Sequence, residues 1–334
     1  MTTYGSAGVD LDGAERHVDS IAPLVTATWG PNIVGGFGGF AAGIELPEGI
    51  RRPVLMLSTD GVGTKLEIAR RMNSWDGVGF DLVAMCVDDL AAVGAMPIGF
   101  VDYMAIGSLR PDRDTAVVAS IARACAAVGC PLVGGETAEH PGVMEPDAID
   151  LAGAALGVVE SGSEVTGSAV SAGDTVIGLR SPNLRSNGFS LVRKLIDDLD
   201  AGFAETTVGE TLLEPSVLYS KAVIAAVETG AVTGAAHITG GGIPGNLGRP
   251  LPPGLTATID TATWDRPPIF DHLQEIGSIE PKAMYQAFNM GMGFAVITRP
   301  DDVDRLLPLL AEHDPWVAGR VVEGDGPIAL EGLA

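Results

Sequence analysis

Aromatic residues are few in this 334-residue chain, at 5%. Packing therefore falls to aliphatic and small side chains, in keeping with 46% hydrophobic residues and 45 glycines. Tightly packed elements joined by glycine turns are expected. Positive charge is scarce too: Lys and Arg total 20 against 43 Asp and Glu, a net charge of −23. That field disfavours a nucleic-acid polymer as partner. It still admits a small anionic ligand, because helix N-termini and a few local cations can hold a phosphate. The three cysteines, Cys86, Cys125 and Cys130, form no C-x-x-C pair and cannot all pair within one chain. Cys86, inside LVAMCV, reads as a small buried hydrophobe. The chain also lacks a basic segment leading into an apolar one at its N-terminus, and an uncharged run of membrane-spanning length. A soluble cytoplasmic protein is expected, with no membrane partner.

Several familiar signatures are missing as well. G-x-G-x-x-G in strand and helix context is absent, and GGFGGF lacks that spacing. No simple repeat is present. The length predicts two domains. The polar, turn-rich SGSEVTGSAVSAGD at 161–174 separates them, giving 1–165 and 170–334. Helices are predicted over 13–28, 76–93 and 112–128, with strands over 53–58, 98–106, 131–135 and 150–160. Beyond the boundary, TVIGL reads as a strand and 189–199, 219–228, 268–277 and 302–312 as helices, with the segment FNMGMGFAVI between the last two. The pattern is mixed α/β.

Four constellations carry chemistry. In LSTDGVGTKLEIA, Asp60 stands just beyond a strand, where it can hold Mg²⁺, while the amides of Gly61 and Gly63, with Thr64 and Lys65, can approach phosphate oxygens. A plain exposed loop is the competing reading. Asp81, Asp88, Asp89 and Asp102 come from a helix and a strand. Carboxylates gathered together raise one another's cost of ionisation, which a divalent cation would relieve. Asp81 and Asp88 share a helix face and Asp89 is turned about 100° away; the alternative is a helix cap and solvated charges. In GGETAEHPG, Gly134 and Gly135 permit close backbone approach, Glu136 and Glu139 can complete a metal site, and Thr137 can donate to a phosphate. His140 reads as a surface or interface histidine. Finally, Ser186, Asn187 and Gly188 in RSNG can form a turn that opens a helix toward an anion, strengthened by Arg185. In HITGGG, His237 can position or protonate a substrate group beside Thr239, Gly240 and Gly241.

DGVGTK, FDLVAMCVDD, GGETAEHPG, SNGFSLVRK, HITGGG and FNMGMG occur in this order along almost the whole chain. Together they resemble the phosphoribosylformylglycinamidine cyclo-ligase family, also called aminoimidazole ribonucleotide synthetases. The resemblance implies a two-domain mixed α/β fold. Its N-terminal ATP-binding and dimerisation domain would join its sheet across a homodimer into a barrel-like core, with a C-terminal α/β substrate domain packed beside it. It also implies ATP and Mg²⁺, with a monovalent cation, and a small phosphorylated ribonucleotide substrate. Asp60, Asp88, Asp89 and Glu136 would hold metal. Lys65, His237, Asp102 and Arg185 would serve the chemistry, and the SNG and HITGGG loops would face the ribonucleotide. The implied reaction closes the imidazole ring of formylglycinamidine ribonucleotide: phosphoryl transfer to the formyl amide oxygen makes a leaving group, and the amidine nitrogen attacks that carbon.

Three departures from the family pattern stand out. A lysine near AGVD is replaced by Gly5 and Ser6, H-S-N-G becomes Arg185, Ser186, Asn187, Gly188, and P-T-R-I-Y becomes Pro215 to Tyr219 with Val217 within. Guanidinium stays charged and carries protons poorly, unlike imidazole. These changes leave open a paralogue acting on a related compound, or a nucleotide-binding regulator without turnover.

Overall fold

The protein is described by a computed structural model covering residues 11–333; Gly5 and Ser6 lie outside the described residues. The N-terminal part runs α1 (Leu11–Thr26), β1 (Ile33–Val34), β2 (Gly43–Ile44), β3 (Pro53–Gly61), α2 (Lys65–Met72), α3 (Val78–Ala92), β4 (Met96–Ile106), α4 (Pro111–Val128), β5 (Leu132–Glu139) and β6 (Ile149–Glu160). Four of its strands form a sheet in the order β3-β6-β4-β5, antiparallel except for the parallel β4–β5 pair. The period-2 pattern of β3 decides its faces. Val54 and Met56 turn toward the core under α3, while Leu55 and Leu57 are exposed, at 54% and 79%.

The C-terminal part contains β7 (Thr175–Arg180), α5 (Phe189–Leu195), β8 (Gly202–Phe203), β9 (Thr206–Thr207), α6 (Val208–Leu213), α7 (Ser220–Glu228), β10 (Val232–His237), α8 (Gly242–Leu247), β11 (Leu255–Asp260), α9 (Pro268–Gly277), α10 (Pro281–Ala287), β12 (Met292–Thr298), α11 (Val303–Leu306), β13 (Trp316–Glu323) and β14 (Ile328–Glu331). Its six-stranded sheet has the order β10-β12-β7-β13-β11-β14. Alternate residues of β7 and β12 enter two different cores: Val176 and Ile297 one, Ile177 and Val296 the other. Both faces of this sheet are therefore covered, and β12 is buried along its length.

The barrel-like closure implied by the resemblance is corrected here. Both large sheets are open: β3 and β5 end one, β10 and β14 the other. No strand is expected from the sequence at β11, β13 or β14, although LTATID in β11 alternates apolar and polar residues. The helix expected over 302–312 is only the short α11 flanked by 3-10 turns. No helix among the described residues is long and apolar enough to cross a membrane.

Helix α3 joins the two parts. Its apolar residues point in all directions, as in a helix buried on every side. Leu82 and Val87 enter the N-terminal core, Ala91 the C-terminal one. Gly79 lets α4 approach so closely that an added Cβ would sit 2.1 Å from the Ile121 nitrogen. Asp89 is the one exposed residue of this helix.

Candidate active site between the two sheets

The four aspartates grouped by the sequence reading have four separate fates. Asp81 is fully buried and receives Lys65 Nζ at 2.9 Å, Ser216 N at 3.0 Å and Ser216 Oγ at 2.6 Å. Lys65 Nζ also donates to the Glu214 carbonyl at 2.8 Å. Burial lowers the lysine pKa and raises that of Asp81, and each opposes the other's shift by its charge. The expected approach of Lys65 to phosphate is thus replaced by an internal ion pair. Asp88 is sealed likewise, by Arg185 Nη2 at 2.7 Å and the backbone N–H groups of Tyr219 and Ser220 at 2.9 Å each. It offers no free face to a metal.

Asp89 and Asp60 remain open. His237, at the end of β10, places Nδ1 2.8 Å from Asp89 Oδ1. The carboxylate accepts, so Nδ1 carries a proton in this contact. Nε2 is buried with no hydrogen-bond partner, 4.0 Å from Asp88 Oδ2, and the ring stacks on Phe294 with centroids 6.0 Å apart. Asp60 lies within β3 rather than beyond it, and the Gly61 N–H donates to its Oδ1 at 2.7 Å. Partial burial pushes its pKa up, the Gly61 hydrogen bond and His237 pull it down, and Asp89 pushes it up. Ser58, two residues before Asp60 on the same face of β3, lies 3.5 Å from Asp89 Oδ2, so β3 runs beside the Asp89–His237 pair.

The loops converge on the same place. Thr64 Oγ1 lies 3.3 Å from Ser190 Oγ, linking the DGVGTK loop to the start of α5. A Cβ on Gly240 would stand 3.5 Å from Asn187 Oδ1, so the SNG and HITGGG segments are neighbours. Gly241 and Gly242 have φ of 92° and 60°, which favours glycine. Asn246 Nδ2 ties the turn by donating to the carbonyls of Gly240 and Gly242 at 3.1 and 2.8 Å. Thr239 Oγ1 reaches Asn246 Oδ1 at 3.3 Å. Gly188, with φ 83°, opens α5, and the Ser186 hydroxyl is buried without a partner.

Asp102 belongs to a different region. Asp60, Gly153, Asp102 and Gly135 are register partners across β3, β6, β4 and β5, which puts the ends of that row about 14 Å apart. The Gly153 position between the two aspartates is filled by the Phe100 ring and Leu82. Asp102, Gly134, Gly135, Glu136 and Thr137 instead line a cavity of about 840 Å³ with His17 and the glycine-rich segment 36–42. Burial, assisted by Glu136, pushes the Asp102 pKa up to about 7, against a backbone hydrogen bond that lowers it. Gly135 gives the Asp102 carboxylate its place, since a Cβ there would lie 2.3 Å from Asp102 Oδ1 and displace it. Glu139 is occupied by the Leu109 N–H at 2.8 Å, and His140 Nε2 lies 3.4 Å from the Tyr103 hydroxyl. The four-residue metal set therefore does not assemble: Asp60 and Asp89 are together, Asp88 is sealed, and Glu136 is at the cavity. Among the described residues no three His, Cys, Asp or Glu side chains form a group arranged to hold an ion.

Comparison with known proteins decides the family. Residues 48–159 match the model of the AIR synthase related protein N-terminal domain, and 171–330 that of the C-terminal domain. The phosphoribosylformylglycinamidine cyclo-ligase of Thermosynechococcus vestitus is 44% identical over 333 residues, covering 97% of this chain and 98% of the relative. The chain belongs to the phosphoribosylformylglycinamidine cyclo-ligase family. A second cyclo-ligase, from Neisseria meningitidis, is 45% identical over 320 residues, covering 94% of this chain and 93% of that one. Solved structures show the same fold at low identity. The thiamine-monophosphate kinase of Stenotrophomonas maltophilia has a TM-score of 0.69 at 17% identity, covering 94% of this chain and 97% of its own. Hydrogenase maturation protein HypE in complex with ATP has a TM-score of 0.69 at 19% identity, covering 97% and 92%. Within this cyclo-ligase, Arg185 was expected to border the substrate and instead has no exposed surface.

Proposed function

We propose that the chain closes the imidazole ring of formylglycinamidine ribonucleotide, consuming ATP and releasing aminoimidazole ribonucleotide, ADP and phosphate. The observation that carries this reading is the meeting of Asp60 and Asp89 with His237, the first two from the N-terminal part and the third from the C-terminal part, at the DGVGTK, SNG and HITGGG loops. Cyclo-ligases at 44% and 45% identity support it. ATP and Mg²⁺ fit these residues: two solvent-accessible carboxylates close enough to influence each other are hard oxygen donors of the kind that divalent ion takes. Asp60 and Asp89 would hold Mg²⁺, and a monovalent cation accompanies the proposal.

ATP supplies the phosphoryl group that turns the formyl amide oxygen into a leaving group. The protein's own work is positioning and proton handling. Glycines 240 and 241 leave the backbone free to approach the ribonucleotide, with Ser186, Asn187 and Gly188 across from them. His237, oriented by Asp89, takes the proton released as the amidine nitrogen attacks. Lys65 and Arg185 act from within, as ion pairs that fix α3. Residues 1–165 form the nucleotide and dimerisation domain, and 170–334 the substrate domain. Gly134 to Thr137 and Asp102 line the nucleotide side through their cavity. The exposed face carrying Leu55, Leu57, Val101 and Tyr103 is covered by a second copy of the chain, and a cytoplasmic setting goes with the reaction.

The Arg185 departure supports the standard substrate over a related one. A guanidinium shut inside an ion pair makes no contact of its own with the ribonucleotide. Turnover with products identified by mass tests the reading. One ADP, one phosphate and one aminoimidazole ribonucleotide per substrate are expected. ATP binding without ADP release would support a regulator, and activity confined to a different heterocycle precursor would support a paralogue.

A further inference from the structure

Arg185 touches both segments that end at the Asp89–His237 pair. Its Nη2 donates to Asp88 Oδ2 at 2.7 Å and its Nη1 to the Gly293 carbonyl at 3.2 Å. The guanidinium lies 4.8 Å from the centre of the Tyr219 ring. Asp88 immediately precedes Asp89 on α3. The Gly293 carbonyl also accepts the N–H of Ile238 at 3.0 Å, and Phe294 is the register partner of His237. One planar fork therefore connects the residue before Asp89 with the residue after His237, across the junction of the two parts.

The backbone is built to hold this fork. Arg185 has a φ of 60°, a left-handed conformation that non-glycine residues keep only where their surroundings over-determine it. Here Asn183 Oδ1 accepts the Arg185 N–H at 2.9 Å. Asn183 is itself fixed, its Nδ2 donating to the Pro215 carbonyl at 2.9 Å and its carbonyl accepting Asn289 Nδ2 at 3.0 Å.

We infer that Arg185 is a positioning residue: it sets the Asp89–His237 pair, and with it the direction of Nε2, without touching the substrate. An ordinary buried ion pair would hold the fold equally well whichever way His237 pointed. Lysine separates the two cases, because it keeps the charge and lacks the planar fork that spans both acceptors.

The test uses the full chain with ¹⁵N-labelled histidine, the His237 signal being assigned by its loss in His237→Ala. In the unaltered protein the signal shows a single tautomer with the proton on Nδ1. In Arg185→Lys it moves toward a mixture while the fold is retained. The kinetic arm rests on the ring-closure reading. There Arg185→Lys lowers kcat about tenfold or more, with the KM for ATP changed less than about twofold. In a His237→Ala background the same change alters kcat less than about twofold, since the residue being positioned is gone. An unchanged His237 signal, or an equal loss of kcat in both backgrounds, overturns the inference. Should Arg185→Lys fail to fold, the neutral pair Asp88→Asn with Arg185→Gln is read by the same measurements and the same expectations. Absence of ring closure in the unaltered chain would refute the proposed activity and leave the spectrum to decide the role of Arg185.

Discussion

His237 and Asp89 are 148 residues apart and 2.8 Å from each other. The hydrogen bond orients the ring, and Nε2 has no hydrogen-bond partner. His237→Asn therefore lowers kcat by roughly 10²–10⁴-fold, while Mg·ATP affinity from calorimetry stays within about threefold of the unaltered protein. Asp102 gives a second residue-scale outcome. Its carboxyl titrates at about 7 in the folded chain, against about 3.9 when unfolded. The folded state thus holds the proton between those values, and the stability it contributes is full below the lower one and lost as pH rises through the upper. Asp102→Asn is permanently neutral. Its melting temperature exceeds that of the unaltered protein by roughly 2–4 °C at pH 8, and thermal scans at about pH 4.5 show that advantage nearly gone. The residues themselves were legible in the sequence, as Asp60, Asp89 and His237 stand in recognisable motifs. Their partners were not: Lys65 turns inward to Asp81 and Arg185 to Asp88, and no spacing along a chain reports a contact between distant segments.

At the scale of elements, α3 organises the site. It presents Asp81 and Asp88 inward and Asp89 outward, which is the relation helical geometry predicts from spacing alone. The long helices and the central strands were readable for the same reason, being periodic over several turns or pleats. Strand β14 escaped because four residues are too few to show a period and β13 because Gly319 interrupts its pattern, while the alternation of LTATID in β11 is short and follows a Pro-Pro-Gly turn. What positions α3 is its contact with α4 through Gly79. Gly79→Ala sets a methyl against backbone that has no rotamer to move, so it destabilises by about 1–3 kcal/mol or more. Chemical denaturation that finds the variant unchanged would show that the helices can separate without loss.

At the scale of the molecule, the two sheets differ in how they are finished. The C-terminal sheet is covered on both faces, while the N-terminal one leaves Leu57, Val101 and Tyr103 exposed on one side. A contiguous apolar face of this kind marks an association surface. If a second copy covers this face, the unaltered chain sediments as a dimer and Leu57→Glu shifts it to monomers; equal sedimentation of the two would show the face is not the contact. The closed barrel implied by the family likeness was the largest architectural expectation the fold did not bear out. Closure is a property of strand edges, and a single sequence carries no mark of whether an edge is paired.

A site shared by the two parts would activate the formyl oxygen and close the ring. Isotope transfer tests it most directly. With ¹⁸O in the formyl group of formylglycinamidine ribonucleotide, the account predicts one labelled oxygen in each phosphate released, matched to one aminoimidazole ribonucleotide. Phosphate free of label, with ATP consumed and ring product formed, would contradict it.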